Sequence, residues 1–238
     1  MMPKLSKRLQ TIADLVESDS IVADVGTDHG YLPAFLINSC RAKFVFAGDI
    51  VTGPLDSAKK TIEKYEVDET KVKLLLSDGL KGFDKNCADT IIIAGMGSVS
   101  MIDIISGCDW VKSSDIKFIV QPQNDHDLMR QFLYSSGFAI EKEIAVYDQR
   151  HIYTVMLVRY SGKVEQIDSV FAYLGRIPDT KGDDQIRYVE KQIIKFDKQI
   201  QGLLKSSVHH ENLKAIQIQS IKNEMVKVLE RMKKDADN

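Results

Sequence analysis

Three carboxylates stand at equivalent places in this chain. Asp24, Asp49 and Asp78 each follow a short apolar run, at Ile21–Ala23, Phe44–Ala47 and Val72–Leu76. A fourth run, Thr90–Ile93, ends instead in Ala94-Gly95-Met96-Gly97. Carboxylates accept hydrogen bonds from hydroxyl and ammonium groups, and glycines let a backbone come close to a ligand. The first carboxylate opens the loop Asp24-Val25-Gly26-Thr27-Asp28-His29-Gly30-Tyr31, whose glycines lie four apart. Strand, glycine loop and helix start are the parts from which doubly wound proteins build a nucleotide site. In an open parallel sheet, ligands lie beyond the carboxyl ends of the strands, so these four run ends should converge on one cleft.

The residue types narrow the ligand. A carboxylate roughly 20–25 residues after a glycine loop suits both hydroxyls of a ribose, and Asp49 stands there. Asp78 would accept from an adenine amino group or hold the loop that does. A dinucleotide fold requires G-x-G-x-x-G because pyrophosphate rests on the helix N-terminus. This loop is D-x-G-x-x-x-G with a second carboxylate at Asp28, and negative charge there repels pyrophosphate. It suits a ligand with an ammonium group and no phosphate. S-adenosylmethionine is such a ligand, with Asp24 or Asp28 facing its amino group.

The elements that must hold these residues follow from periodicity. Leu5, Leu9, Ile12 and Val16 predict an amphipathic helix over residues 5–17. Helices are expected after the first run (Leu32, Phe35, Leu36), over 54–65 with Pro54 in the first turn, over 99–105 and over 125–136. Thr90–Ala94, apolar on both faces, reads as a central strand, and Lys117–Gln121 as a fifth. Phe138–Val146 and Ile152–Leu157 are too close for a parallel crossover, so they predict a hairpin with one reversed strand in a seven-stranded sheet. Residues 161–185 form a polar, Gly/Pro-marked connector around Val170–Leu174. Beyond it, Ile186, Ile193 and Ile200 recur every seven residues, as do Val189, Phe196 and Leu203. A second seam runs through Ile218, Ile221, Met225, Val228 and Met232. Two such helices, broken at Ser206-Ser207 and a polar His209-His210 turn, predict an antiparallel hairpin. Its seams are expected to pack against each other, which favours a monomer and leaves a dimer open.

Charge is uneven. The chain carries a net −2, yet from Ile186 onward basic residues outnumber acidic ones by 11 to 7, leaving the body acidic. That asymmetry is compatible with a polyanion-binding arm. Cys40, Cys87 and Cys108 form no C-x-x-C pair and read as reduced thiols of a cytoplasmic protein. Asp125-His126-Asp127 stands at a helix start, where Asp caps backbone N–H groups, so no metal is expected. Apolar runs fall short of the ~18 residues of a membrane span, so no membrane association is expected.

Several segments together resemble the bacterial tRNA (adenine-22)-N1-methyltransferase family (TrmK). They are Leu5–Leu9, Asp24–Pro33, Gly48–Ile50, Gly53-Pro54, Ser57–Lys59, Asp78–Leu80, Ile93–Gly97 and Gln121-Pro122. The departures are Gly30 and Ser98, where the family pattern has Ala and Gly, and Gln123-Asn124 after Pro122, where Asn directly follows. The first two exchange small for small. The resemblance implies a class I, Rossmann-like methyltransferase fold, S-adenosylmethionine as donor, tRNA as substrate and a C-terminal coiled-coil hairpin that helps hold the tRNA.

The residues constrain the reaction independently. Ala94–Gly97 offers no side-chain carbonyl to orient an exocyclic amine, and no cysteine stands at a strand end for carbon-5 chemistry. A ring nitrogen such as adenine N1 already has its lone pair and needs positioning and stabilisation of the arriving positive charge. Asp28 suits that task, with Tyr31 or Met96 against a base exposed by flipping. The catalytic candidates are thus Asp28 and Tyr31. The donor site is expected to comprise Asp24, Gly26, His29, Leu32, Asp49, Ile50, Asp78, Gly79 and Ala94, Gly95, Met96 and Gly97. Substrate contacts are expected from Lys7, Arg8, Gln121, Pro122 and Asn124. The expected organisation is a methyltransferase domain over residues 1–160, the connector, and the hairpin over 186–238. The alternatives are a small-molecule methyltransferase that oligomerises through its helices, and a non-catalytic RNA-binding module.

Overall fold

The computed structural model describes residues 1–205 and 209–236. Helix α1 (Lys7–Asp14) opens on Ser6, whose hydroxyl accepts from Leu9 N. Strand β1 (Ser20–Val25), α2 (Tyr31–Asn38), β2 (Ala42–Asp49), α3 (Thr52–Lys64) and β3 (Val72–Leu76) follow. Next come β4 (Thr90–Met96), α4 (Ser98–Ser106), β5 (Lys117–Pro122) and α5 (His126–Ser135). The chain ends with β6 (Phe138–Asp148), β7 (His151–Tyr160), α6 (Ser169–Leu174), α7 (Asp183–Leu204) and α8 (His209–Ala236).

The strands form one sheet in the order β3-β2-β1-β4-β5-β7-β6. β1 pairs in parallel with both β2 and β4, and only β7 runs against its neighbours β5 and β6. The order reverses between β1 and β4, which puts the switch point at the glycine loop. β4 lies at the centre because both its faces are apolar. Ile91 and Ile93 join Met101, Phe118 and Leu133 on one side, while Ile92 joins Val22, Leu36 and Val45 on the other.

The C-terminal helices carry a third core. Phe196 and Ile200 of α7 pack with Ile218, Met225 and Met232 of α8, and this layer continues into Leu174, Ile177 and Ala145 of β6. Lys222–Asp197 (2.5 Å) and Lys233–Glu190 (2.7 Å) cross between the helices and confirm that they run antiparallel. Three local expectations differ from the structure. The stretch expected as a polar connector holds α6, with Ala172 and Leu174 buried. His209 and His210 begin α8 rather than form a turn, whereas Ser206-Ser207 lie outside the described residues. Asp125 occupies the cap position of α5, but with φ +45° its side chain makes no capping bond.

What ties the helices to the sheet is a buried ion pair. Arg130 of α5 and Glu143 of β6 are both inaccessible and meet at 2.6 Å. Arg130 also donates to the carbonyls of Ala172 (2.7 Å) and Tyr173 (2.9 Å) and to the Tyr188 hydroxyl (3.0 Å). Glu143 accepts from Arg176 N (2.9 Å). Burial alone would lower the guanidinium's pKa, but the Glu143 carboxylate and Tyr188 raise it on balance. Gly175, at φ +54°, leaves no room beside this pair, since a Cβ there would collide with both partners. Breaking a buried pair strands the remaining charge. Glu143→Ala should therefore lose about 3–5 kcal/mol of stability in urea unfolding. A loss below about 1 kcal/mol, the value typical of exposed pairs, would contradict this assignment.

Candidate active site

The glycine loop closes over the ends of β1, β2 and β4. Gly26 N and Thr27 N both donate to Gly48 O, at 2.8 and 3.0 Å, which folds the loop back onto β2. Gly26 (φ +78°), Asp28 (φ +51°) and Gly30 (φ +68°) are all left-handed, so three of five successive residues curl the chain tightly. A Cβ on Gly26 would collide with the Met96 methyl. One on Gly30 would lie 2.8 Å from the Cα of Ala58, so helix α3 packs directly on the loop. The exchange of Gly30 for Ala is thus not small for small here.

Asp49 is held at the loop's mouth. One carboxylate oxygen accepts from Asp28 N (3.3 Å), the other from Val51 N (3.1 Å). Asp24 lies within β1, not in the loop, and is buried. Burial pushes its carboxyl up to about 6; a hydrogen bond from the Thr27 hydroxyl opposes the rise and the Asp49 charge adds to it. The buried Thr27 hydroxyl faces the Asp24 carboxyl. Asp28 and His29 project outward, their side chains 3.6 Å apart. Tyr31, 39% exposed, sets its edge on Tyr65. Opposite, Arg8 donates to the buried Gln121 amide oxygen, lies over the Tyr153 ring at 5.4 Å and anchors its backbone N on Asp148 (3.1 Å).

These groups enclose a cleft of ≈ 400 Å³. Among the expected residues, Arg8, Asp24, Gly26, Asp28, His29 and Tyr31 line it, as do Leu32, Asp49, Ala94, Gly95 and Met96. Three carboxylates face a single arginine there, a balance suited to a cationic ligand without phosphate.

Other expected residues lie elsewhere. Ile50 is 63% exposed beside Asp49, and Gly97 is the cap of α4. Asp78 pairs with Lys81 at 2.5 Å, while Gly79 packs near Ile104. Lys7 faces a shallow groove with Ile144 on the opposite side of α1. Gln121, next to Pro122 at the end of β5, is spent on Arg8 and on Pro122 O (2.8 Å). Asn124 is turned away, for its side-chain oxygen accepts from Ser98 N (3.2 Å) and so caps α4. Gln123 lines the cleft instead, because its backbone N is fixed on Met96 O (2.9 Å). Thr27 and Leu9 also line it without having been singled out, Thr27 being ordinary as a residue type and Leu9 expected only as helix core. Cys40, Cys87 and Cys108 are free, and none lines the cleft.

Known proteins are similar to this chain in sequence and fold. The family model described as "Methyltransferase domain" matches residues 5–156. The tRNA (adenine(22)-N(1))-methyltransferase of Bacillus subtilis (strain 168) is 31% identical over 175 residues, covering 73% of each chain. This chain belongs to that family. The crystal structure of the B. subtilis m1A22 tRNA methyltransferase TrmK superposes with a TM-score of 0.83 at 25% identity, covering 95% of this chain and 99% of that one. A structure of Streptococcus pneumoniae Sp1610, a putative tRNA (m1A22) methyltransferase, in complex with S-adenosyl-L-methionine gives 0.80 at 26%, covering 93% and 99%. Within the family, Gly30 of this chain makes a contact that any side chain must disturb. Gly30→Ala should cost roughly 1–2 kcal/mol from the left-handed backbone alone. Thermal unfolding would report it, and an unchanged midpoint would show that neither the left-handed backbone nor the Ala58 contact penalises a side chain at this position.

Proposed function

We infer that this chain is an S-adenosylmethionine-dependent methyltransferase acting on N1 of an adenine in tRNA, the position-22 adenine named for its relative. The observation that carries this is the acidic, phosphate-averse cleft at the carboxyl ends of β1, β2 and β4 in a chain of this family. The donor supplies an electrophilic methyl group on a sulfonium. The residues present fit it. Asp24 and Asp49 offer acceptors for an ammonium and for ribose hydroxyls, and the left-handed Gly26 turns the loop over them.

The remaining residues serve the base. Asp28 stands at the outer rim with its side chain free of backbone partners, where it can stabilise the positive charge that a methylated ring nitrogen acquires. Tyr31 and Met96 flank the cleft as apolar surfaces for a flipped adenine, and Arg8 and Gln123 present donors at the same mouth. The C-terminal hairpin serves as a tRNA-holding arm, supported by its basic excess. Among the described residues no helix is long and apolar enough to cross a membrane. A cytoplasmic location goes with the proposed tRNA substrate, and the packing of the two hairpin seams on each other favours a monomer and leaves a dimer open.

Asp28→Ala should lower kcat by roughly 10²-fold, the effect of removing one charge-stabilising group, while calorimetry finds donor binding retained. Full methylation of unmodified tRNA by that variant would remove Asp28 from the mechanism. Failure of the wild-type protein to methylate any tRNA would overturn the function itself.

Asp24 makes donor binding pH-dependent. Its pKa is raised from 3.8 to about 6 in the folded chain, so its ionisation costs stability, fully above pH 6 and not at all below 3.8. A bound ammonium offsets that cost only when Asp24 is ionised. Affinity should therefore level off above about pH 6 and fall roughly tenfold per unit below it. Asp24→Asn should bind weakly with a flat profile, and a flat wild-type profile between pH 5 and 8 would argue against Asp24 as the ammonium's partner.

A further inference from the structure

A second cavity, of ≈ 450 Å³, adjoins the catalytic cleft across Gln123, which lines both. One wall is the start of α5 with Asp125, His126 and Asp127, and the other is α7. On α7, Lys191, Lys195 and Lys198 fall at i, i+4 and i+7, hence on one face, and all three line the cavity. They are exposed, and among the described residues none lies within 4 Å of a carboxylate, those of Asp125 and Asp127 across the groove included. Elsewhere in the hairpin, Lys222, Lys227 and Lys233 are all in ion pairs. The groove thus has a cationic wall opposite an acceptor wall.

The floor is fixed and uncharged. Tyr188 is buried, with its hydroxyl on Arg130 and on Tyr173 O (3.1 Å), and the His126 ring stacks near it at 6.0 Å. Burial and the Arg130 charge push His126 down to about 3, so it remains neutral. Positive charge in the groove comes from the lysines.

We propose that this groove binds the RNA strand adjoining the target adenosine, with backbone phosphates on Lys191, Lys195 and Lys198. This rests on the function proposed above and extends its substrate site beyond the reacting base. The α7 face from Lys191 to Lys198 is ~10 Å long at the helical rise, about three nucleotides of stacked strand. Phosphates on the lysine wall turn riboses toward Asp125 and Asp127, which accept from 2′-hydroxyls and base amines, a combination that RNA supplies. Because Gln123 touches both cavities, a strand lying here enters the cleft beside Asp28 and Tyr31.

The test uses the full chain and unmodified tRNA. A Lys191→Ala/Lys195→Ala/Lys198→Ala variant should bind tRNA at least ~10-fold more weakly, and its log–log salt slope should fall by about 2, from ~0.7 per single-strand phosphate. Its S-adenosylmethionine affinity by calorimetry and its kcat at saturating tRNA should match wild type. Lys195→Glu, a single exposed change, should weaken binding in the same direction. A Lys43→Ala/Lys85→Ala control, altering exposed lysines at or before the amino ends of β2 and β4, should leave affinity unchanged. Unaltered tRNA affinity and salt slope in the triple variant, with wild-type protein active on tRNA, would overturn the groove assignment alone. Wild-type protein that binds S-adenosylmethionine but never methylates tRNA would instead overturn the function on which it rests.

Discussion

The hinge of this architecture is a guanidinium with no access to water. Arg130 reaches the sheet through Glu143, the connector through two carbonyls and the C-terminal hairpin through Tyr188. A buried ion pair of this kind contributes little net stability, since desolvation offsets the attraction. Its value lies in direction. An arginine satisfied by three separate segments fixes their mutual placement, because any displacement leaves a donor unmet in a dry interior. α5, which carries the arginine, also starts three residues after Gln123. The hairpin is therefore positioned relative to the cleft and is not a tethered appendage. Cutting the chain at residue 186 would remove Tyr188 from this network and uncover Ala145, Leu174 and Ile177.

The cleft follows a different logic. Its carboxylates are placed by the parallel pairing of β1 with β2 and β4, which brings their ends to one level. Asp24 is desolvated there without a salt bridge, a local cost that the rest of the fold carries. A cation of the right shape relieves it, so binding and electrostatic relief coincide. Phosphate ligands have no such place, which separates this glycine loop from the dinucleotide kind despite the shared strand–loop–helix plan.

Much of this was legible from residue order. The apolar runs ending in Asp24 and Asp49, and the close hairpin after Phe138, placed the sheet and its switch point because burial pattern and connection length dictate both. What residue order leaves open is decided by tertiary hydrogen bonds, local ion pairing and backbone conformation. Whether Gln123 or Asn124 enters the cleft depends on Met96 O and Ser98 N, which lie more than twenty residues away. Asp78 follows its strand as Asp24 and Asp49 close theirs, and its pairing with the exposed Lys81 is a contact that residue type does not announce. Asp125 looked like a helix cap by residue type, and its left-handed backbone turns the side chain out of capping geometry. The α6 segment was masked by polar neighbours, its burial supplied by α5 and α8, which sequence proximity does not reveal.

The glycine loop also constrains how such a chain can diverge. At Gly26 the space of a missing side chain is filled by the Met96 methyl, and at Gly30 by the backbone of Ala58. Each contact makes two distant positions a single steric unit. A larger residue at 26 requires a shorter one at 96, and a side chain at 30 requires α3 to stand farther from the sheet. Divergence here proceeds in pairs: the partners of this loop record, in their size, which residue it carries.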